Sequence, residues 1–164
     1  MKTLLLLRHA KSSWDDSSLK DFDRPLSARG KRDAPRMGKA LKKRGPLPDL
    51  ILSSPAMRAR ETVEAVIKSA RMESSLQFEE TIYAASSAEL MRVVRRIPQS
   101  IACAMMVGHN PGFEDLAARL TGTAQEMPTA ALACVEFRAG RWEDIQDGEG
   151  VLRWLMTPKG MESD

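Results

Sequence analysis

The hydrophobic positions change their period several times along the chain, and each change marks an element. Leu4 to Leu7 is a continuous apolar run too short for a helix, so it predicts a strand buried on both faces. A polar stretch from Lys11 to about Ser27 reads as a loop and carries Trp14, Asp15, Asp16, Asp21, Asp23 and Pro25. Over Arg29–Arg44, Ala34, Met37, Ala40 and Leu41 recur at helical spacing, and Gly45-Pro46 ends the helix. Asp49–Ser53 predicts a second strand. Ser54-Pro55 predicts a cap and first turn for a helix reaching about Ala70. A third strand is expected over Phe78–Tyr83, then a helix from Ser87 that turns Leu90, Val93, Val94 and Ile97 inward. Ile101–Val107 predicts another buried strand. Gly108 to Gly112 reads as a turn, with Asn110 capping a helix that runs to Leu120. Leu132–Phe137 and Val151–Met156 predict two late strands with no helix between them, a connection that suits antiparallel pairing. The segment after Thr157 is polar and expected to be loose.

Strands alternating with helices predict an α/β fold: a three-layer sandwich with a mostly parallel central sheet flanked by helices. The length, 164 residues, suits a single domain over 1–164. A composition 43% hydrophobic and 29% charged fits a folded globular chain and is too apolar for a disordered one. The two cysteines, Cys103 and Cys134, form no CxxC and read as buried strand residues, and the scattered Cys and His lack zinc-ligand spacing. The apolar run at the start is shorter than a secretory core, and no stretch approaches a membrane span, so a cytoplasmic protein without membrane association is expected. The formal charge of +3 changes the picture only locally. Arg24, Arg29, Lys31, Arg32, Arg36, Lys39, Lys42, Lys43 and Arg44 crowd one segment, which reads first as the wet face of a helix. With no aromatics interleaved there, nucleic acid is not the expected partner.

Candidate chemistry lies at the strand ends. The only two histidines, His9 and His109, each follow a predicted buried strand, and Arg58 lies in the first turns after strand two. In open α/β sheets ligands bind beyond the carboxyl ends of the strands. Arg8, His9, Arg58 and His109 could therefore converge. Taken singly, each is a loop or packing residue; taken together they suit a phosphoryl group. Arginine meets phosphate oxygens with a planar fork, and a neutral imidazole can attack phosphorus.

The motifs also carry a family resemblance. Leu7-Arg8-His9-Ala10, Ser53-Ser54-Pro55-Ala56-Met57-Arg58-Ala59-Arg60-Glu61-Thr62 and Val107-Gly108-His109-Asn110-Pro111-Gly112 resemble, in order, the signatures of the histidine phosphatase superfamily, the phosphoglycerate-mutase-like enzymes. The small size, Arg8-His9-Ala10-Lys11-Ser12, Asp23-Arg24-Pro25-Leu26-Ser27 and Gly30 resemble the SixA-type phosphohistidine phosphatases. The resemblance implies that His9 is the phosphorylated nucleophile, that Arg8, Arg58 and His109 complete the phosphate pocket, and that no metal or organic cofactor takes part. Glu80, beside Glu79, is the nearest candidate general acid, though no motif fixes it. A phosphohistidine ring can leave as neutral imidazole, so a missing acid leans toward P–N substrates.

Three readings follow. The first is a phosphatase acting on a phosphohistidine-containing protein, and the second a phosphatase for a small phosphorylated molecule with the same pocket. The third is a phosphate-binding module without turnover, against which the histidine pair argues. A monomer is the default for a domain this small. The remaining loop carboxylates, Asp15, Asp16 and Asp23, read as turn or capping residues.

Overall fold

The computed structural model describes residues 1–161. Its elements run β1 (Lys2–Arg8), α1 (Ala28–Arg44), β2 (Leu50–Ser53), α2 (Met57–Ala70), β3 (Ser75–Phe78), α3 (Ser87–Arg95), β4 (Cys103–Gly108), α4 (Gly112–Thr121), β5 (Leu132–Phe137), β6 (Val151–Met156) and a single turn, α5 (Pro158–Met161). The six strands form one sheet in the order β3-β2-β4-β1-β5-β6. β1 pairs with β4, β4 with β2 and β2 with β3, all parallel, whereas β5 and β6 join antiparallel. The sheet is thus mostly parallel, with an antiparallel edge where the late strands lack a crossover helix.

Helices cover both faces of this sheet, and that is why the apolar runs are continuous. Leu4, Leu6 and Met106 pack with Leu90, Val94, Phe113 and Leu116 beneath α3 and α4. Leu5, Leu7, Met105 and Val107 pack on the other face with Met37, Leu41, Val63 and Val66 of α1 and α2. Each such side chain contributes about 1.5–3 kcal/mol when fully withdrawn from water, so the two central strands are held from both sides. The basic residues of α1 lie on its outer face, as expected of a wet helix, whereas Arg24, in the loop before it, is buried. Both cysteines are free and buried, and burial pushes the Cys103 thiol up to about 12. Among the described residues no helix is long and apolar enough to cross a membrane.

Three expectations need correction. The third strand is Ser75–Phe78, not Phe78–Tyr83. It is an edge strand with one covered face, so its alternation of exposed Ser75 and Gln77 with half-buried Leu76 and Phe78 outweighs the β-formers that follow. Residues Glu80–Ile82 instead form a 3-10 turn that buries Ile82. Helix α2 starts at Met57 with Ala56 at its cap, and α4 starts after Pro111, so neither Ser54 nor Asn110 caps a helix with its side chain. Finally, the residues after Thr157 are not all loose. Pro158 is buried and Met161 packs against the α1 side of the core, while 162–164 lie outside the described residues.

Candidate active site

The parallel pairing of β1, β4 and β2 brings three strand ends to one edge. Arg8 stands opposite Gly108, and Ser53 opposite Val107. His9 and His109 are therefore the next residues of adjacent strands, and their rings lie 5.2 Å apart. The His9 backbone is held from two sides: its N–H donates to the Gly108 carbonyl (3.0 Å), and its own carbonyl accepts from the Ala130 N–H (3.0 Å). Arg58, in the first turn of α2, reaches the same edge from beyond β2.

The His9 ring is oriented by its chain neighbour. Nδ1 lies 2.7 Å from the Ala10 carbonyl, which can only accept, so Nδ1 carries the proton and Nε2 keeps its lone pair. Burial pulls the His9 pKa down to about 3, and His109, Arg58 and Arg8 add to the fall against the Ala10 hydrogen bond. The ring is neutral near pH 7. His109 is likewise lowered to about 4, first by burial and then by Arg58. Its Nε2 lies 2.7 Å from the Ser54 hydroxyl. Several buried groups here have no partner: Nε of Arg8, Nε of Arg58 and Nδ1 of His109. Unpartnered buried nitrogens are rare. Three of the four residues singled out in the sequence carry one.

The surrounding loops fix the two arginines. Nη1 of Arg8 donates to the Met127 carbonyl (3.1 Å), which also accepts from the Asn110 amide (2.9 Å). Met127 is itself held by its N–H on the Glu114 carboxylate (2.8 Å). Arg58 donates through Nη1 to the Asp21 carbonyl (2.7 Å) and through Nη2 to the Asp21 carboxylate (3.0 Å). That carboxylate also accepts from the Tyr83 hydroxyl (2.7 Å) and from Arg24 (3.1 Å). Burial alone would raise the Asp21 pKa, but Tyr83, Arg58 and Arg24 together lower it to about 2. Arg24 is packed under the ring of Trp14 at 3.5 Å. Tyr83 stands edge-on to the His109 ring at 5.5 Å.

Arg8, His9, Arg58 and His109 thus come together, whereas Glu80 does not join them. It is exposed on the turn before Tyr83 and does not line the cavity of about 490 Å³ in front of His109. The carboxylates on that lining are Asp21, Glu89 and Asp115. In the sequence Tyr83 and Glu114 carry no mark, Asp21 reads only as one of the loop acids, and Ser54 reads only as a helix cap within the second motif. Of the other loop carboxylates, Asp16 binds Ser18 locally, as a turn residue does, and Asp15 and Asp23 are exposed.

Comparison with known proteins agrees with this geometry. An uncharacterized chloroplastic protein of Arabidopsis thaliana is 36% identical over 94% of this chain and 75% of its own length. A structure assigned to the phosphohistidine phosphatase SixA of Agrobacterium tumefaciens superposes with a TM-score of 0.83 at 28% identity, covering 96% of this chain and 98% of that one. The protein histidine phosphatase SixA in complex with tungstate superposes at 0.79 with 25% identity, covering 98% and 99%. The family model of the histidine phosphatase superfamily, branch 1, matches residues 4–127, the segment on which both histidines and both arginines of the pocket lie. With the model matching about three quarters of the chain, the chain belongs to the histidine phosphatase superfamily.

Proposed function

We propose that this phosphatase hydrolyses phosphohistidine on a protein, with His9 as the nucleophile. The observation that carries the reading is the His9 ring itself: neutral, locked with Nδ1–H on the Ala10 carbonyl, 5.2 Å from the His109 ring, and near enough to Arg58 and Arg8 for both to lower its pKa. In the first step the Nε2 lone pair forms a bond to phosphorus. The bond from phosphorus to the substrate imidazole breaks, and that ring, protonated beforehand, departs neutral. Arg8, Arg58 and His109 hold the equatorial oxygens through the charge build-up. In the second step water attacks phosphorus, the Nε2–P bond breaks, and phosphate leaves with His9 restored.

The phosphoryl dianion brings a negative charge beside Arg8, Arg58 and His109. It raises the His109 pKa and lets that ring donate. The P–N preference is supported by the exposed position of Glu80 and by the two SixA structures that superpose on the chain. A cytoplasmic phosphotransfer protein is the expected partner.

The test compares wild type with His9→Ala on a phosphohistidine peptide and a panel of small phosphomonoesters, with acid-labile phosphoenzyme trapped in parallel. Strong preference for phosphohistidine and a phosphoenzyme absent from His9→Ala support the reading. Equal or better turnover of esters overturns the substrate, and a phosphoenzyme that survives His9→Ala overturns the nucleophile.

A further inference from the structure

The cavity in front of His109 divides its charges by depth. His109 and Arg58 are more than nine-tenths buried, with Nδ1 of the one and Nε of the other unpartnered. Further out stand Asp21, Glu89 and Asp115. The Asp21 charge is matched by Arg24 and Arg58. Glu89 and Asp115 are exposed and join no ion pair among the described residues. Glu89 accepts only from the backbone N–H and hydroxyl of Ser86. Arg92, which helps to lower the Glu89 pKa, is not on the lining, and Arg58 is the only Lys or Arg that is.

From this we infer that the cavity receives the part of the substrate next to the phosphoryl group, and that it takes a polypeptide with lysine or arginine flanking the phosphorylated residue. It turns away leaving groups that bear a carboxylate or a second phosphate. The inference rests on the phosphoryl group sitting among Arg8, His9, Arg58 and His109. Arg8 and Arg58 balance that group. The next charge outward meets two unpaired carboxylates on the lining of the same cavity, and because both are exposed their effect is strongest at low salt. Rejection of the wrong charge sets selectivity as much as attraction of the right one.

The test measures kcat/KM for two substrate pairs at low salt. One pair is a phosphohistidine peptide flanked by lysine or by glutamate; the other is phosphoethanolamine and 3-phosphoglycerate, which ask the same question of esters. The cationic member of each pair is expected to be favoured about tenfold, and the ratio should shrink as salt is added. Glu89→Gln combined with Asp115→Asn should bring the ratio close to one. Glutamine keeps an acceptor for the Ser86 cap, and a ratio is insensitive to a uniform loss of activity. Equal or reversed ratios in wild type, or a ratio that survives the double substitution, would overturn the inference. If esters are hydrolysed and phosphohistidine is not, the phosphohistidine reading fails while the ester pair still reports the charge preference.

Discussion

A single hydrogen bond settles what the His9 ring can do, because the Ala10 carbonyl leaves Nε2 as the only basic nitrogen. The environment then keeps it basic and unprotonated. Both histidines are lowered, His9 to about 3 and His109 to about 4, so the unfolded chain binds protons below about pH 6.5 that the native state refuses. Stability is complete above that value and is lost as pH falls toward 4. The loss should be about 4 kcal/mol by pH 5 in denaturant titrations, and about half that in His9→Asn. With only two histidines in the chain, ring NMR signals give a direct check. Neither should titrate between pH 8 and 5, and added phosphate should shift His109 upward. A second prediction concerns Asp21, which grips Arg58 through both its backbone and its carboxylate. Asp21→Asn should lower kcat/KM about 10–100-fold by letting the guanidinium wander. Tyr83→Phe removes one of the other grips on that carboxylate and should cost much less. Steady-state kinetics on any turned-over substrate decides it, and equal losses would show that Asp21 does not act by holding Arg58.

At the scale of elements, the site depends on how the loop from Lys11 to Ser27 is returned to the strand edge. Its two ends are tied together: the Ser27 N–H donates to the Lys11 carbonyl (2.8 Å), and the Ser13 N–H to the Pro25 carbonyl (2.8 Å). The first turn of α1 then lies against Lys11 so closely that a Cβ on Gly30 would strike the Lys11 carbonyl. Gly30→Ala is expected to cost about 1–3 kcal/mol of stability by overpacking. It should also lower activity, since the shifted loop carries Asp21. Thermal melts and kcat/KM read the two effects separately, and a variant with unchanged melting and activity would show that the contact is easily relieved. This loop was only partly legible beforehand. Its polar, turn-rich character is local chemistry and readable in the sequence, whereas Asp21 shows no local mark to separate it from Asp15, Asp16 and Asp23. Its principal partner, Arg58, is 37 residues away.

For the whole molecule, the proposed phosphate pocket makes anion binding an expected stabilising event. Tungstate or phosphate at 100 times its dissociation constant should raise stability by about 2.7 kcal/mol through mass action. A matching rise in Tm is expected in wild type and should be nearly absent in Arg58→Ala. An equal rise in both would place the anion elsewhere. The chain alone determined a great deal here. Short apolar runs bounded by turn signals read as strands covered on both faces, so the α/β class and the central strands could be read directly, and the motifs at the strand ends, being local strings of residues, name the four residues proposed for the pocket. The exact third strand, the helix caps and the ordered turn at Pro158–Met161 could not, because each is decided by which face a neighbouring element covers. The same holds for the His9 protonation state, the Asp21 clamp on Arg58 and the carboxylates facing the cavity. These depend on burial and on distances between residues far apart in sequence, quantities that exist only once the sheet has brought its strand ends together.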